Sequence, residues 1–157
     1  MATRNTGSAV DDSGRTVRMV TTAVGAVFLL VGVLGFIPGI TTDYDTLSFA
    51  GHTSEAKLLG IFQVSILHNI VHLLFGVVGL AMARSTAGAI NYLLAGGVVY
   101  LVLFVYGFVI GHDTAANFVP VNTAANWLHL GLALAMIGLD IWGRNAVKSG
   151  ARGGRMA

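Results

Sequence analysis

Gln63-Val64-Ser65-Ile66-Leu67-His68-Asn69-Ile70-Val71-His72 places two histidines and an asparagine inside an apolar run of membrane-spanning character. His68 and His72 are four residues apart, so on a helix they lie one above the other on the same face. Strongly polar side chains in a transmembrane helix are costly and turn toward other helices or a polar cavity. A second stretch repeats the pattern, because Asn69-Ile70-Val71-His72-Leu73 returns as Asn126-Trp127-Leu128-His129-Leu130.

The surrounding chain is membrane material. Of its 157 residues, 55% are hydrophobic and 10% charged, whereas a soluble domain carries about 25% charged residues. Apolar runs long enough to cross a bilayer, about 20 residues each, are expected four times, near residues 17–37, 57–83, 89–110 and 124–142. The first run is too long for the core of a signal peptide and lacks an Ala-x-Ala cleavage site, so it is read as a retained helix ended by Pro38 and Gly39. Thr53 or Ser54 is the expected N-cap of the second helix. Residues 1–16 read as a flexible cytoplasmic tail and 144–157 as a basic cytoplasmic tail, flanking a transmembrane domain over 17–143.

Charge sets the expected orientation. Arg4, Arg15, Arg18, Arg84, Arg144, Lys148, Arg152 and Arg155 fall on one side and Lys57 alone on the other. Basic residues stay cytoplasmic, so a multi-pass membrane protein with both termini inside is expected. The loops carrying Asp43, Asp45 and Asp113 then face outward.

The echo between the two halves extends further. Gly35-Phe36-Ile37-Pro38-Gly39 resembles Gly107-Phe108-Val109-Ile110-Gly111, and each is followed by an acidic loop and then Asn-x-x-His-Leu. The expected architecture is an all-α integral membrane bundle of four helices, built as two parallel helical hairpin repeats. His72 and His129 would be equivalent.

His68, Asn69, His72, Asn126 and His129 are thus expected to form one polar layer in the outer leaflet. Tyr100, Tyr106 and Gln63 would reach toward it. His68, His72 and His129 have the ligand count and spacing of a metal site, but Asn69 stands where a His-Glu-x-x-His pattern would hold its glutamate. Haem between His72 and His129, or a quinone headgroup, is a further candidate but not the favoured one. The plainer alternative is that these side chains hydrogen-bond across helices. With no cysteine, disulfides, thiolate metal sites and cysteine nucleophiles are excluded. No Ser-His-Asp or paired-carboxylate arrangement is visible, so no catalytic residue is assigned. The glycines at 25, 32, 35, 39, 76, 79, 107 and 111 read as packing positions. Asp140 and Arg144 are expected to pair, and Trp127 and Trp142 to anchor the fourth helix at the two interfaces.

Gly32 to Gly39, Leu67 to Leu73, Asn117-Phe118-Val119-Pro120-Val121-Asn122-Thr123-Ala124 and Asn126 to His129 together resemble the bacterial domain-of-unknown-function family four-three-eight-three, over about residues 17–143. That resemblance implies a small four-helix inner-membrane protein, common in actinobacteria, with no established activity or cofactor. The chain is more loosely similar to DoxX-like four-helix proteins, some tied to quinone or thiol redox work, though it has no thiol. The expected function is a non-enzymatic accessory or scaffold subunit, or a binder of a small lipophilic ligand. The alternative is a redox subunit binding haem or quinone. The expected partners are the lipid bilayer and another membrane protein or a second copy, with no nucleic acid.

Overall fold

A computed structural model describes residues 6–153 of the protein. Helix α1 (Thr6–Leu34) leads into a small cap made of β1 (Thr41–Thr42), a 3-10 turn (Tyr44–Thr46), β2 (Lys57–Leu58) and β3 (Phe62–Gln63). Helices α2 (Ile66–Met82), α3 (Thr86–Val109) and α4 (Thr123–Gly153) follow. Three of the four helices are long and apolar enough to cross a membrane, over Asp12–Leu34, Thr86–Val109 and Thr123–Arg152, while α2 is a shorter apolar helix of 17 residues.

Helix α1 packs chiefly on α2, and α3 chiefly on α4. Glycines set the spacing within each pair. A Cβ at Gly25 would stand 3.1 Å from the Gly76 carbonyl and from the Leu80 nitrogen. At Gly97 it would stand 3.1 Å from the Ile137 nitrogen and 3.2 Å from the Ala133 carbonyl. Such close backbone approach is what small residues permit where no hydrophobic effect drives helices together. The centre is filled by Phe28, Tyr92, Leu93, Tyr100, Ala133 and Met136. Leu30, Leu74, Val77, Val102, Val105, Phe108, Leu134 and Ile141 instead stand exposed on the outside. A protein that turns this many large apolar side chains outward is suited to an apolar solvent.

The helix expected over 57–83 begins at Ile66, with Ser65 as its N-cap and not Thr53 or Ser54. The Ser65 hydroxyl accepts from the His68 N–H at 3.1 Å. Residues 57–63 form an antiparallel hairpin with Lys57 opposite Gln63 and Leu58 opposite Phe62, and β1 adds Thr42 opposite Lys57. Its turn needs left-handed backbone at Leu59 (φ 55°) and Gly60 (φ 72°), which no helix provides. Ser54 staples the hairpin's base, donating to the Val64 carbonyl at 2.7 Å and accepting from the Ser48 N–H.

The ends differ as well. Residues 6–16, expected to be a flexible tail, continue α1. Gly14 lies close against Thr86 and Val17 is fully buried, so tertiary packing holds a stretch that lacks an apolar period. Residues 144–153 extend α4 in the same way, with Val147 packed on Val17, Ala89 and Ile90. Residues 1–5 and 154–157, with Arg4 and Arg155, lie outside the described residues. Gly39, expected to pack, instead serves the turn after α1 at φ 91°, where a Cβ would meet nothing. The Asp140–Arg144 pair forms as expected, with Arg144 Nε donating to both carboxylate oxygens at 2.9 and 3.0 Å. Trp127 and Trp142 stand exposed on α4, 15 residues or about 22 Å apart along it.

Candidate functional site

The Ser65 cap fixes the first turn of α2 and so points His68 into the protein, where it is buried. One turn on, His72 donates from Nδ1 to the His68 carbonyl at 2.9 Å. The two imidazoles lie 4.6 Å apart, centre to centre. His129 reaches in from α4, 6.3 Å from His68 and 5.4 Å from Tyr100. Tyr100 stacks on Phe28 at 5.6 Å and 9°, and Phe28 lies 5.9 Å from His72. Three imidazoles and two aromatic rings therefore make one continuous layer across the protein.

Under the cap, His68, His72 and His129 line a cavity of about 120 Å³. Its remaining walls are apolar: Val31 of α1, Ala125, Leu128 and Leu132 of α4, and Leu58, Leu59, Phe62 and Val64 of the cap. The Nδ1 atoms of His68 and His129 are buried and have no hydrogen-bond partner. Leaving a buried polar atom unpaired costs about 1–3 kcal/mol, so two at one cavity call for an explanation.

The asparagines do a different job. Asn69 donates from Nδ2 to the Gly35 carbonyl at 2.8 Å, tying α2 to the end of α1. Asn126 sits against Gly107 in the corresponding way, where a Cβ would fall 2.5 Å from its Oδ1. There the Gly107 carbonyl takes the His112 ring nitrogen at 3.0 Å instead, and the Asn126 Oδ1 is left unpaired. Neither asparagine lines the cavity. Tyr106 is also turned away, donating to the Ala116 carbonyl and accepting from the Phe118 N–H in the loop between α3 and α4. Gln63 fastens the cap by donating to the carbonyls of His52 and Ser54 at 3.3 and 2.7 Å. Of the expected layer, the structure brings together His68, His72, His129 and Tyr100.

Two of the candidate chemistries, a metal site and a haem site, fit poorly. Among the described residues no group of three or more His, Asp or Glu is placed to hold a metal ion. With His72 Nδ1 committed to its own helix and His129 a further ring away, the imidazoles do not converge on one point. A cavity of about 120 Å³ is close to what admits a benzene-sized ring and far too small for a porphyrin. A larger recess of about 660 Å³ lies at the other end, lined by Gly14, Arg15, Arg18, Thr22 and Thr86. Arg15 and Arg18 are exposed there, and Arg18 Nε donates to the Ala83 carbonyl at the end of α2, so its position serves the fold.

Sequence reasoning missed Phe28 and the cap residues. Phe28 is separated from Tyr100 by the same 72 positions as Gly35 from Gly107, and that register was the available signal.

No curated protein and no solved structure matches the chain. The model of a family described as a domain of unknown function, DUF4383, matches residues 18–142, most of the chain, and the protein therefore belongs to that family.

Proposed function

We propose that this is a four-span protein of a bacterial plasma membrane that holds a small lipophilic ligand in the histidine-lined cavity. The observation that carries the reading is that cavity itself: apolar walls, three imidazoles, and two buried Nδ1 atoms without partners. Small-molecule sites combine apolar walls with a few placed polar groups in this way. Leu128 of the α4 wall is itself exposed on a surface suited to lipid, which supports entry from the bilayer.

The architecture behind this reading is two hairpins of like orientation, α1–α2 and α3–α4, related by a pseudo-twofold axis along the membrane normal. Several matched pairs support it. Ser65 caps α2 through the His68 N–H, and Asn122, 57 positions on, caps α4 through the Ala125 N–H at 2.9 Å. The Gly25 and Gly97 approaches to α2 and α4 are equivalent at those same offsets. Phe28 and Tyr100 then stack across the axis. Helix α2 completes the crossing with the cap, and the basic residues at the opposite end stay cytoplasmic under the positive-inside rule.

The test is to purify the protein in native-lipid discs and identify bound small molecules by mass spectrometry, beside Leu132→Trp, which fills the cavity. A species retained by the parent and lost from a folded Leu132→Trp is expected. Identical extracts from both would overturn the reading and leave the histidines as helix glue within an accessory subunit.

A further inference from the structure

We infer that the ligand of this cavity is a hydrogen-bond donor, a lipophilic molecule ending in a small hydroxyl-bearing group such as a phenol, quinol or prenol alcohol. The inference rests on the proposed ligand-binding role and names its chemical class.

The argument is a count of donors and acceptors. A neutral imidazole carries one N–H donor and one imine acceptor. His72 spends its donor, because Nδ1 faces a carbonyl, that of His68, and a carbonyl only accepts. Its Nε2 is therefore an imine. The His68 ring lies beside the carbonyl of Pro120, and its Nδ1 has no partner. The N–H of His68 thus sits on Nε2, toward Pro120, and Nδ1 is a second imine. The two rings line the cavity together, 4.6 Å apart centre to centre.

His129, the third ring on the wall, has no hydrogen-bond partner at Nδ1 and adds one imine and one unspent N–H, so imine acceptors outnumber unspent donors there three to one. The amide donors of Asn69 go to Gly35, on the α1 side and away from the cavity. Eight of the eleven lining residues are apolar. A ligand that only accepts, such as a quinone carbonyl or an ether, can meet only the His129 N–H and leaves the imines of His68 and His72 unpaired. A hydroxyl satisfies one acceptor at once, and the volume of about 120 Å³ limits the buried part to one small ring or a chain end. Water is the competing occupant, since that volume holds about four molecules at ~30 Å³ each.

The test uses para-hexylphenol and its methyl ether, which differ by the donor alone, on the full chain in lipid discs. The phenol is expected to bind about tenfold more tightly than the ether. It should also move two imidazole imine resonances in the NMR spectrum of histidine-labelled protein, and the ether should move none. Loss of that preference in His68→Phe and in His72→Phe would support the assignment to these two rings, and the parent's NMR shifts decide the matter if either variant fails to fold. Equal affinity for both probes, abolished by Leu132→Trp, would overturn the donor class while leaving a lipophilic ligand in place. Binding of neither probe, with water alone in the cavity, would overturn both readings.

Discussion

Asn69 donates its side-chain amide to the backbone carbonyl of Gly35 at 2.8 Å, and the absence of a Cβ at Gly35 is what lets it come so near. A Gly35→Ala methyl would run into that amide. The substitution combines overpacking with a buried hydrogen bond lost, each costing about 1–3 kcal/mol. Thermal unfolding in detergent should show a clear fall in Tm. Gly131→Ala, where a Cβ meets nothing within 4 Å, should be neutral or slightly stabilising.

Phe28 of α1 and Tyr100 of α3 join their helices through a parallel stack. Phe28→Leu and Tyr100→Leu should therefore be non-additive, with a coupling of about 0.5–1.5 kcal/mol in a double-mutant cycle. Additive losses would mean that the rings fill space without recognising each other.

Asp140 is almost wholly buried, with its side chain 5% exposed, and Arg144 is its partner. Arg144→Met strands a desolvated carboxylate, whereas the Asp140→Asn, Arg144→Met pair does not. The single variant should thus be the less stable of the two, by about 1–3 kcal/mol in chemical unfolding.

Orientation can be read directly because the chain has no cysteine of its own. Lys57→Cys in intact cells should react with a membrane-impermeant maleimide. Arg84→Cys, in the turn between α2 and α3, should react only after permeabilisation. The reverse pattern would invert the proposed topology.

Ser65→Ala removes the hydroxyl that accepts from the His68 N–H. A lost N-cap costs about 1 kcal/mol, and here it also loosens the turn that aims His68. Stability should fall modestly, while ligand retention, measured by mass spectrometry, falls further than stability alone would dictate.

That the histidines meet was legible in the sequence, because an imidazole in an apolar run turns toward other helices or a polar cavity. His68, His72 and His129 do meet, and Asp140 does pair with Arg144. The start of α2 was not legible. Val64, Phe62 and Leu58 are as apolar as the helix that follows, so hydropathy runs through the hairpin without a break, and only Gly60 signals the turn. The asparagines misled for a related reason: a polar group at membrane depth can satisfy a backbone carbonyl as readily as it can line a cavity. Tyr106 was drawn away by the loop beyond α3, whose path no local pattern encodes.

The unequal lengths of the helices carry a consequence for the bilayer. On the four-span reading, 17 residues of α2 reach about 25 Å, short of a ~30 Å hydrocarbon core, while α3 and α4 exceed it. The missing height is made up by a three-stranded cap whose exposed Leu59 and Ile61 reach outward. Lipids beside α2 therefore meet a hairpin, in place of a helix, over the outermost part of the crossing. Left uncovered, that shortfall would be a hydrophobic mismatch costing fractions of a kcal/mol per ångström. On this reading the cap that roofs the cavity also levels the protein's apolar belt.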